Sequence, residues 1–315
     1  MATAEQIKLL IRSHFSGEEE QFCSASLQIA ACEAHKGRQN FADDIRAMVK
    51  KGQTKTERKP VAAIDNLAVI SEPKSPMTAL VLQDHLHNSL DRILQERRQV
   101  EKLARNGFEN RRKLLMAGPP GTGKTLTASV LAAEMGIPLY NVMVDQLVTR
   151  YLGETSAKLR KIFDFMPANP GVYLFDEFDS IGGDRSSGND VGEMRRVLNA
   201  FLQFLEIDRS SSFIVAATNN PRILDPALFR RFDDILYYRL PEAPEISQLI
   251  KSRLGTFGGQ ITSNSEVIEI CDSLSHAQIV KAVDNAIKIA IIDDLAEVPQ
   301  TILIQELNEI RSSFI

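Results

Sequence analysis

Lys124 and Thr125 close the run Gly118-Pro119-Pro120-Gly121-Thr122-Gly123-Lys124-Thr125, which lies between the apolar stretch Leu114-Leu115-Met116 and a helix-like stretch over 126–135. A glycine-rich turn between a strand and a helix lets successive backbone N–H groups point inward at a polyphosphate, and the helix N-terminus adds partial positive charge. On this reading Pro120, Gly121, Thr122 and Gly123 form the cradle, and Leu126 follows on the first helical turn. The Lys124 ammonium reaches the β- and γ-phosphates, and the Thr125 hydroxyl is offered to Mg2+, a hard cation that takes oxygen ligands. The ligand such a loop predicts is ATP with Mg2+.

A second group lies about fifty residues on, where Val172-Tyr173-Leu174-Phe175 runs into Asp176-Glu177. Asp176 can serve the metal, while Glu177 can orient and deprotonate an attacking water. Neighbours along a strand face opposite ways, so the pair works at a C-terminal strand tip, where sites of α/β sheets lie. A solvated acidic turn is the plain alternative. The apolar run over 213–217 ends in Thr218-Asn219-Asn220, where Asn219 can hold the attacking water against the γ-phosphate. An Asn pair before Pro221 is also an ordinary turn. Then Asp225-Pro226 starts a helical turn that ends in Arg230-Arg231. An arginine beside a γ-phosphate offsets transition-state charge, is worth about 10³–10⁵ in rate, and often comes from a neighbouring subunit. The alternative is a surface salt bridge to Asp233 or Asp234, and spacing alone leaves both open.

The segments that must carry these groups alternate. Strand-like runs at 114–117, 139–144, 172–175 and 213–217 are separated by helix-like ones, which predicts an α/β fold: a three-layer sandwich with a parallel sheet between helices. Residues 80–104 carry helical spacing. Past Pro241 the strands stop, and 244–254, 266–274, 277–295 and 300–314 read as the helices of a small lid. Residues 5–51 read as two or three short amphipathic helices, with Phe22, Ala25 and Ile29 on one face and Phe41, Ile45 and Met48 on another. From Gln53 to Pro76 the chain is rich in Lys, Thr, Ser, Glu and Pro, broken by an apolar patch at 61–70. The expected divisions are therefore an N-terminal helical region (1–52), a linker (53–78), an α/β ATPase domain (79–240) and a helical lid (241–315).

Composition removes other classes. No apolar run approaches the ~20 residues of a membrane span, and the start Met1-Ala2-Thr3-Ala4-Glu5-Gln6 lacks the order of an export signal. A cytoplasmic protein is expected. Three scattered cysteines, Cys23, Cys32 and Cys271, predict reduced thiols in buried or half-buried positions rather than a disulfide framework or a zinc site. A net charge of −4 gives no bulk reason to bind nucleic acid, and the basic run Lys50, Lys51, Lys55, Arg58, Lys59 reads as a solvated linker.

Taken together, these residues resemble the AAA ATPases, a subfamily of the wider AAA+ group whose members usually work as ring hexamers. Gly118 to Thr125 resembles the family's Walker A, Leu174-Phe175-Asp176-Glu177-Phe178-Asp179 its Walker B, and Ala217-Thr218-Asn219-Asn220 its sensor 1. Residues 224–233, which end in Arg230-Arg231-Phe232-Asp233, resemble its second region of homology. The likeness covers roughly residues 80–290. It implies that Arg230 and Arg231 are fingers acting across a subunit boundary, although they stand adjacent without the Pro-Gly many members place between them. It also implies that Tyr151, Leu152 and Gly153 form a first pore loop that grips an extended polypeptide. Ser275-His276-Ala277-Gln278-Ile279 stands where the family commonly has Ser-Gly-Ala-Asp-Ile, which brings Ala277 to the nucleotide, and Asn220 replaces a frequent arginine. The partners so implied are further copies of the chain, in a homo-oligomer such as a hexamer, and a protein substrate recruited through the N-terminal helices and the pore. Two other functions use the same site. One is a nucleotide-gated binding or adaptor module. The other is a nucleic-acid-linked AAA+ ATPase, suggested by the basic run and by Arg97, Arg98, Arg111, Arg112 and Lys113; those charges alternate with Glu96, Glu101 and Glu109, as on a solvated helix.

Overall fold

The structure is a computed structural model that describes residues 8, 19–35, 38–53, 64, 66–147, 152–179, 190–223, 226–258 and 265–313. The chain divides into two compact units, Met1–Val61 and Ala62–Ile315. In the first, α1 (Glu19–His35) packs on α2 (Gln39–Gln53). Ala25, Ala30 and Ala42 are buried there, while Leu27 and Phe41 are exposed. Small residues thus let the two helices approach, and Phe41, expected on the packed face, points to solvent.

The second unit holds β1 (Ala68–Ser71), α3 (Asp84–Arg98), α4 (Val100–Arg105), β2 (Lys113–Ala117), α5 (Lys124–Met135), β3 (Leu139–Val142), α6 (Val144–Leu147) and α7 (Leu152–Phe165). It continues with β4 (Val172–Phe175), α8 (Asp190–Ile207), β5 (Phe213–Thr218), α9 (Pro226–Phe229) and β6 (Asp234–Tyr237). The lid helices are α10 (Ala243–Leu254), α11 (Ser265–Cys271), α12 (His276–Ile292) and α13 (Gln300–Ser312).

The six strands lie in the order β1-β3-β4-β5-β2-β6. All neighbours run parallel except β1, which pairs antiparallel with β3. Every residue of β2, β4 and β5 is buried, as a sheet covered on both faces requires. The pleat divides them: Leu115, Tyr173, Phe175, Ile214 and Ala216 enter one core, and Leu114, Met116, Leu174, Val215 and Ala217 the other. On the first face Tyr140 stacks on Tyr173 with ring centroids 4.4 Å apart. A third core, built on Ile246, Ile250, Ile279, Val283 and Leu303, belongs to the lid.

Two strands escape the periodicity. β1 lies inside the segment whose composition reads as a linker, and β6 directly follows the run that holds the paired arginines; each is a short edge strand with a mixed burial pattern. Parallel register sets Phe175 beside Ala216 and Ala117 beside Thr218, so the tips of β4, β5 and β2 come level along one edge of the sheet.

Candidate active site

At that edge β2 turns into α5 through the phosphate loop. Gly118 passes so close to the Tyr238 backbone that a side chain there would collide with it, and its N–H donates to the Thr218 carbonyl at 3.2 Å. Gly121 adopts φ +73°, in the left-handed region that glycine enters without penalty. The Thr122 hydroxyl donates to the Pro119 carbonyl at 2.8 Å. Lys124 is buried, and its Nζ donates to the carbonyls of Gly118 and Pro119 at 2.8 and 2.7 Å. Burial lowers its pKa, against the opposing pull of the Asp176 and Asp179 carboxylates.

Across the cleft, β4 ends at Phe175 and the chain turns through Asp176 and Glu177. Asp176 Oδ2 accepts from the Thr125 hydroxyl at 2.6 Å and Oδ1 from the Glu177 N–H at 2.9 Å. Glu177 sits at φ 51° with its side chain exposed. Phe178 pins the turn: its ring is fully buried 4.7 Å from that of Phe201, and its N–H donates to Ala217 O at 2.8 Å. Asn219 follows β5, and its N–H reaches Asp179 Oδ1 at 3.3 Å.

These groups line one cavity of about 760 Å³. Pro120 to Leu126 form its floor, with Asp176, Glu177 and Asn219 at one end; residues 79–82 form a wall, and the lid contributes Leu249, Ser252, Arg253, His276, Ala277 and Val280. The lid is bonded to the floor. Ser275 caps α12 in a reciprocal pair with Gln278, and the Ala277 N–H donates to the Gly121 carbonyl at 2.9 Å. Arg253 forms a forked ion pair with Asp284 at 2.5 and 2.8 Å.

Every expected nucleotide residue, Ala277 included, therefore faces this cavity, together with Glu177 and Asn219. The wall at 79–82 and the lid side chains were not legible as site residues, because they are ordinary types far apart in sequence. Arg230 and Arg231 do not line the cavity. Arg230 is exposed, and Arg231 Nε donates to Glu206 on α8 at 2.6 Å. Neither of the acids proposed as alternative partners is the one in that pair: Asp233 accepts from the backbone N–H groups of Arg112 and Lys113 at 2.8 and 2.9 Å, and Asp234 pairs with Arg111 at 2.7 Å. Tyr151 lies outside the described residues, and Leu152 and Gly153 open α7 without described side chains.

Among the described residues no three His, Cys, Asp or Glu side chains gather into a metal site. The Thr125 hydroxyl and the Asp176 carboxylate, already in contact, are instead the hard oxygen pair that suits Mg2+ when phosphate and water complete its shell. Cys271 is buried, which pushes its thiol up to about 12, and Cys32 is half-buried. No helix among the described residues is long and apolar enough to cross a membrane.

The profile of a family described as "ATPase family associated with various cellular activities (AAA)" matches residues 114–240. An "Uncharacterized AAA family ATPase" of Sinorhizobium fredii is 33% identical over 95% of this chain and 93% of its own length. The "ATP-dependent zinc metalloprotease FtsH 3" of Sphaerobacter thermophilus is 32% identical over 59% of this chain and 39% of its own. A "Putative ribosome biogenesis ATPase" of Dictyostelium discoideum is 31% identical over 84% of this chain and 31% of its own.

Proposed function

The chain belongs to the AAA family of ATPases, and from that premise we propose that it assembles into a ring, a hexamer of identical subunits, whose Mg2+-dependent ATP hydrolysis remodels, unfolds or disassembles a protein substrate. The observation that carries this reading is the convergence of Lys124, Thr125, Asp176, Glu177 and Asn219 on one cavity roofed by the lid, while Arg230 and Arg231 stand outside it. A site with base, metal ligands and phosphate clamp on one chain and its arginines elsewhere suits completion by a neighbouring copy.

In the reaction, the phosphates of ATP take Lys124 from the Gly118 and Pro119 carbonyls, exchanging two neutral acceptors for charged ones. Magnesium, when bound, offsets the charge of the β- and γ-phosphates. Thr125 and Asp176 are the residues that would hold it. The Asn219 amide keeps a water in line with the γ-phosphorus, and the Glu177 carboxylate accepts that water's proton as its oxygen bonds to phosphorus. The bond from the γ-phosphorus to the bridging oxygen breaks, and its electron pair leaves with ADP. Arg230 and Arg231 of an adjacent copy stabilise the charge that develops on the transferred group. Relatives of such different printed names share this segment, which fits a motor whose substrate is chosen elsewhere, here by the helical N-terminal unit. The pore-loop assignment of Tyr151, Leu152 and Gly153 supplies the grip on the polypeptide.

Glu177→Gln tests the base. Turnover should fall at least ~100-fold, the range of a lost general base, while calorimetry still detects ATP binding. Unchanged turnover would remove Glu177 from the mechanism.

A further inference from the structure

Tyr238 touches both ends of the phosphate loop without lining the cavity. It follows β6 and is buried. At the strand end of the loop its N–H donates to the Ala117 carbonyl at 2.7 Å, and its backbone lies flush against Gly118, where a side chain would collide with it. At the helix end its hydroxyl donates to Thr127 Oγ1 at 2.9 Å, and Thr127 Oγ1 donates in turn to the Gly123 carbonyl at 3.0 Å.

We propose that Tyr238 is a positioning residue that fixes both ends of the phosphate loop, by its backbone at Gly118 and by the relay from its hydroxyl through Thr127 to Gly123, and thereby sets the affinity for the triphosphate. This rests on the ATPase reading of the cavity.

The direction of the relay follows from counting protons. A carbonyl can only accept, so the one hydroxyl proton of Thr127 goes to Gly123, and the Thr127 oxygen is left to accept from Tyr238. Met116 Sδ, 3.7 Å from the same hydroxyl, is the weaker acceptor. Thr127 is fully buried, and bonds in such a chain polarise and strengthen one another.

A threonine bonded to the carbonyl four residues back is common within helices, and a buried tyrosine ordinarily finds some partner for its hydroxyl. Those habits leave the choice of carbonyl unexplained. Gly123 caps α5, and its carbonyl also accepts the Thr127 N–H at 2.8 Å. In a trans peptide the C=O and the next N–H point opposite ways. Two donors holding the Gly123 carbonyl along the helix therefore aim the Lys124 N–H out of its end, where N–H groups bind anions. The strand end is set in the same manner: Tyr238 bonds the Ala117 carbonyl, and the N–H of that peptide, on Gly118, goes to Thr218. With both ends held, the cradle keeps its shape before phosphate arrives, and a preformed site loses less in ordering when it binds.

The test measures calorimetric binding of ATP and of inorganic tripolyphosphate, with Mg2+, to the full chain and to Tyr238→Phe, Thr127→Val, the double variant and Thr127→Ser, well below every Tm. Tyr238→Phe and Thr127→Val each remove one hydroxyl with little change of shape. Each should weaken both probes about five-fold, the scale of one hydrogen bond. The double variant should bind no more weakly than the worse single one, because both break one relay. Thr127→Ser keeps the hydroxyl and should bind as the native chain does. If the native chain binds both probes and Tyr238→Phe matches it, even with a lowered Tm, Tyr238 is a structural residue and the anchor alone is overturned. Losses that multiply in the double variant, a Ser variant as weak as the Val one, or weakening confined to ATP also overturn it. A native chain that binds neither probe overturns the reading of the cavity, and the anchor with it.

Discussion

Glu177, at φ 51°, occupies backbone space that side-chain-bearing residues rarely enter. Holding a residue there costs on the order of 1–2 kcal/mol, and the surroundings supply what keeps it: the Asp176 carboxylate accepts its N–H, and the buried Phe178 fixes the next residue to β5. This left-handed turn takes the second carboxylate out of the strand's alternation, so that both acids meet one cavity. Glu177→Gln should therefore leave unfolding free energy unchanged, because glutamine has the same stem. Glu177→Val, β-branched and more strained at positive φ, should lower it by about 1–2 kcal/mol; urea titration of the two variants decides. The paired carboxylates were legible in the sequence because a run of apolar residues leads straight into them. Their geometry was not, because it is imposed by a residue one position later packing against α8.

Between the phosphate loop and the lid, the tight fit is at Gly121. A methyl group there would stand 2.6 Å from Ser275 Oγ and 3.2 Å from Ala277 Cβ, at a φ that already disfavours a side chain. Gly121→Ala should push the start of α12 off the phosphate loop, destabilising the chain by ~1–3 kcal/mol as overpacking does and raising the KM for ATP more than it lowers kcat. A thermal melt beside steady-state kinetics would show whether both move. The same contact explains what sequence reading could and could not reach. The four inner strands announce themselves as largely apolar runs, with Lys113, Asn141 and Thr218 the polar exceptions. β1 and β6 do not, since an edge strand half open to water need not be apolar and takes its identity from the partner it pairs with. The cavity wall at 79–82 is invisible for a similar reason: nothing in Ala-Leu-Val-Leu marks it until the lid folds back across it.

Over the whole molecule the arginines are the element out of place. Within one chain Arg231 is engaged by Glu206 and Arg230 is exposed, neither on the cavity they would serve. If an adjacent copy supplies them, ATP hydrolysis per subunit should climb with protein concentration and be lost in Arg230→Ala, with ATP binding by the isolated subunit intact. A rate independent of concentration in a chain that sizes as a monomer would refute the shared site. The lid has a second relation to the rest that matters at this scale. It leaves the sheet just beyond Tyr238, whose backbone abuts Gly118 and whose hydroxyl donates to Thr127 at 2.9 Å, and it returns to the loop at Gly121 through Ala277. A rigid body pinned at two points keeps one easy rotation, about the line joining them. Here both attachments lie on the glycine-rich loop, so a turn of the lid about them would carry its distant helices furthest and the loop itself least.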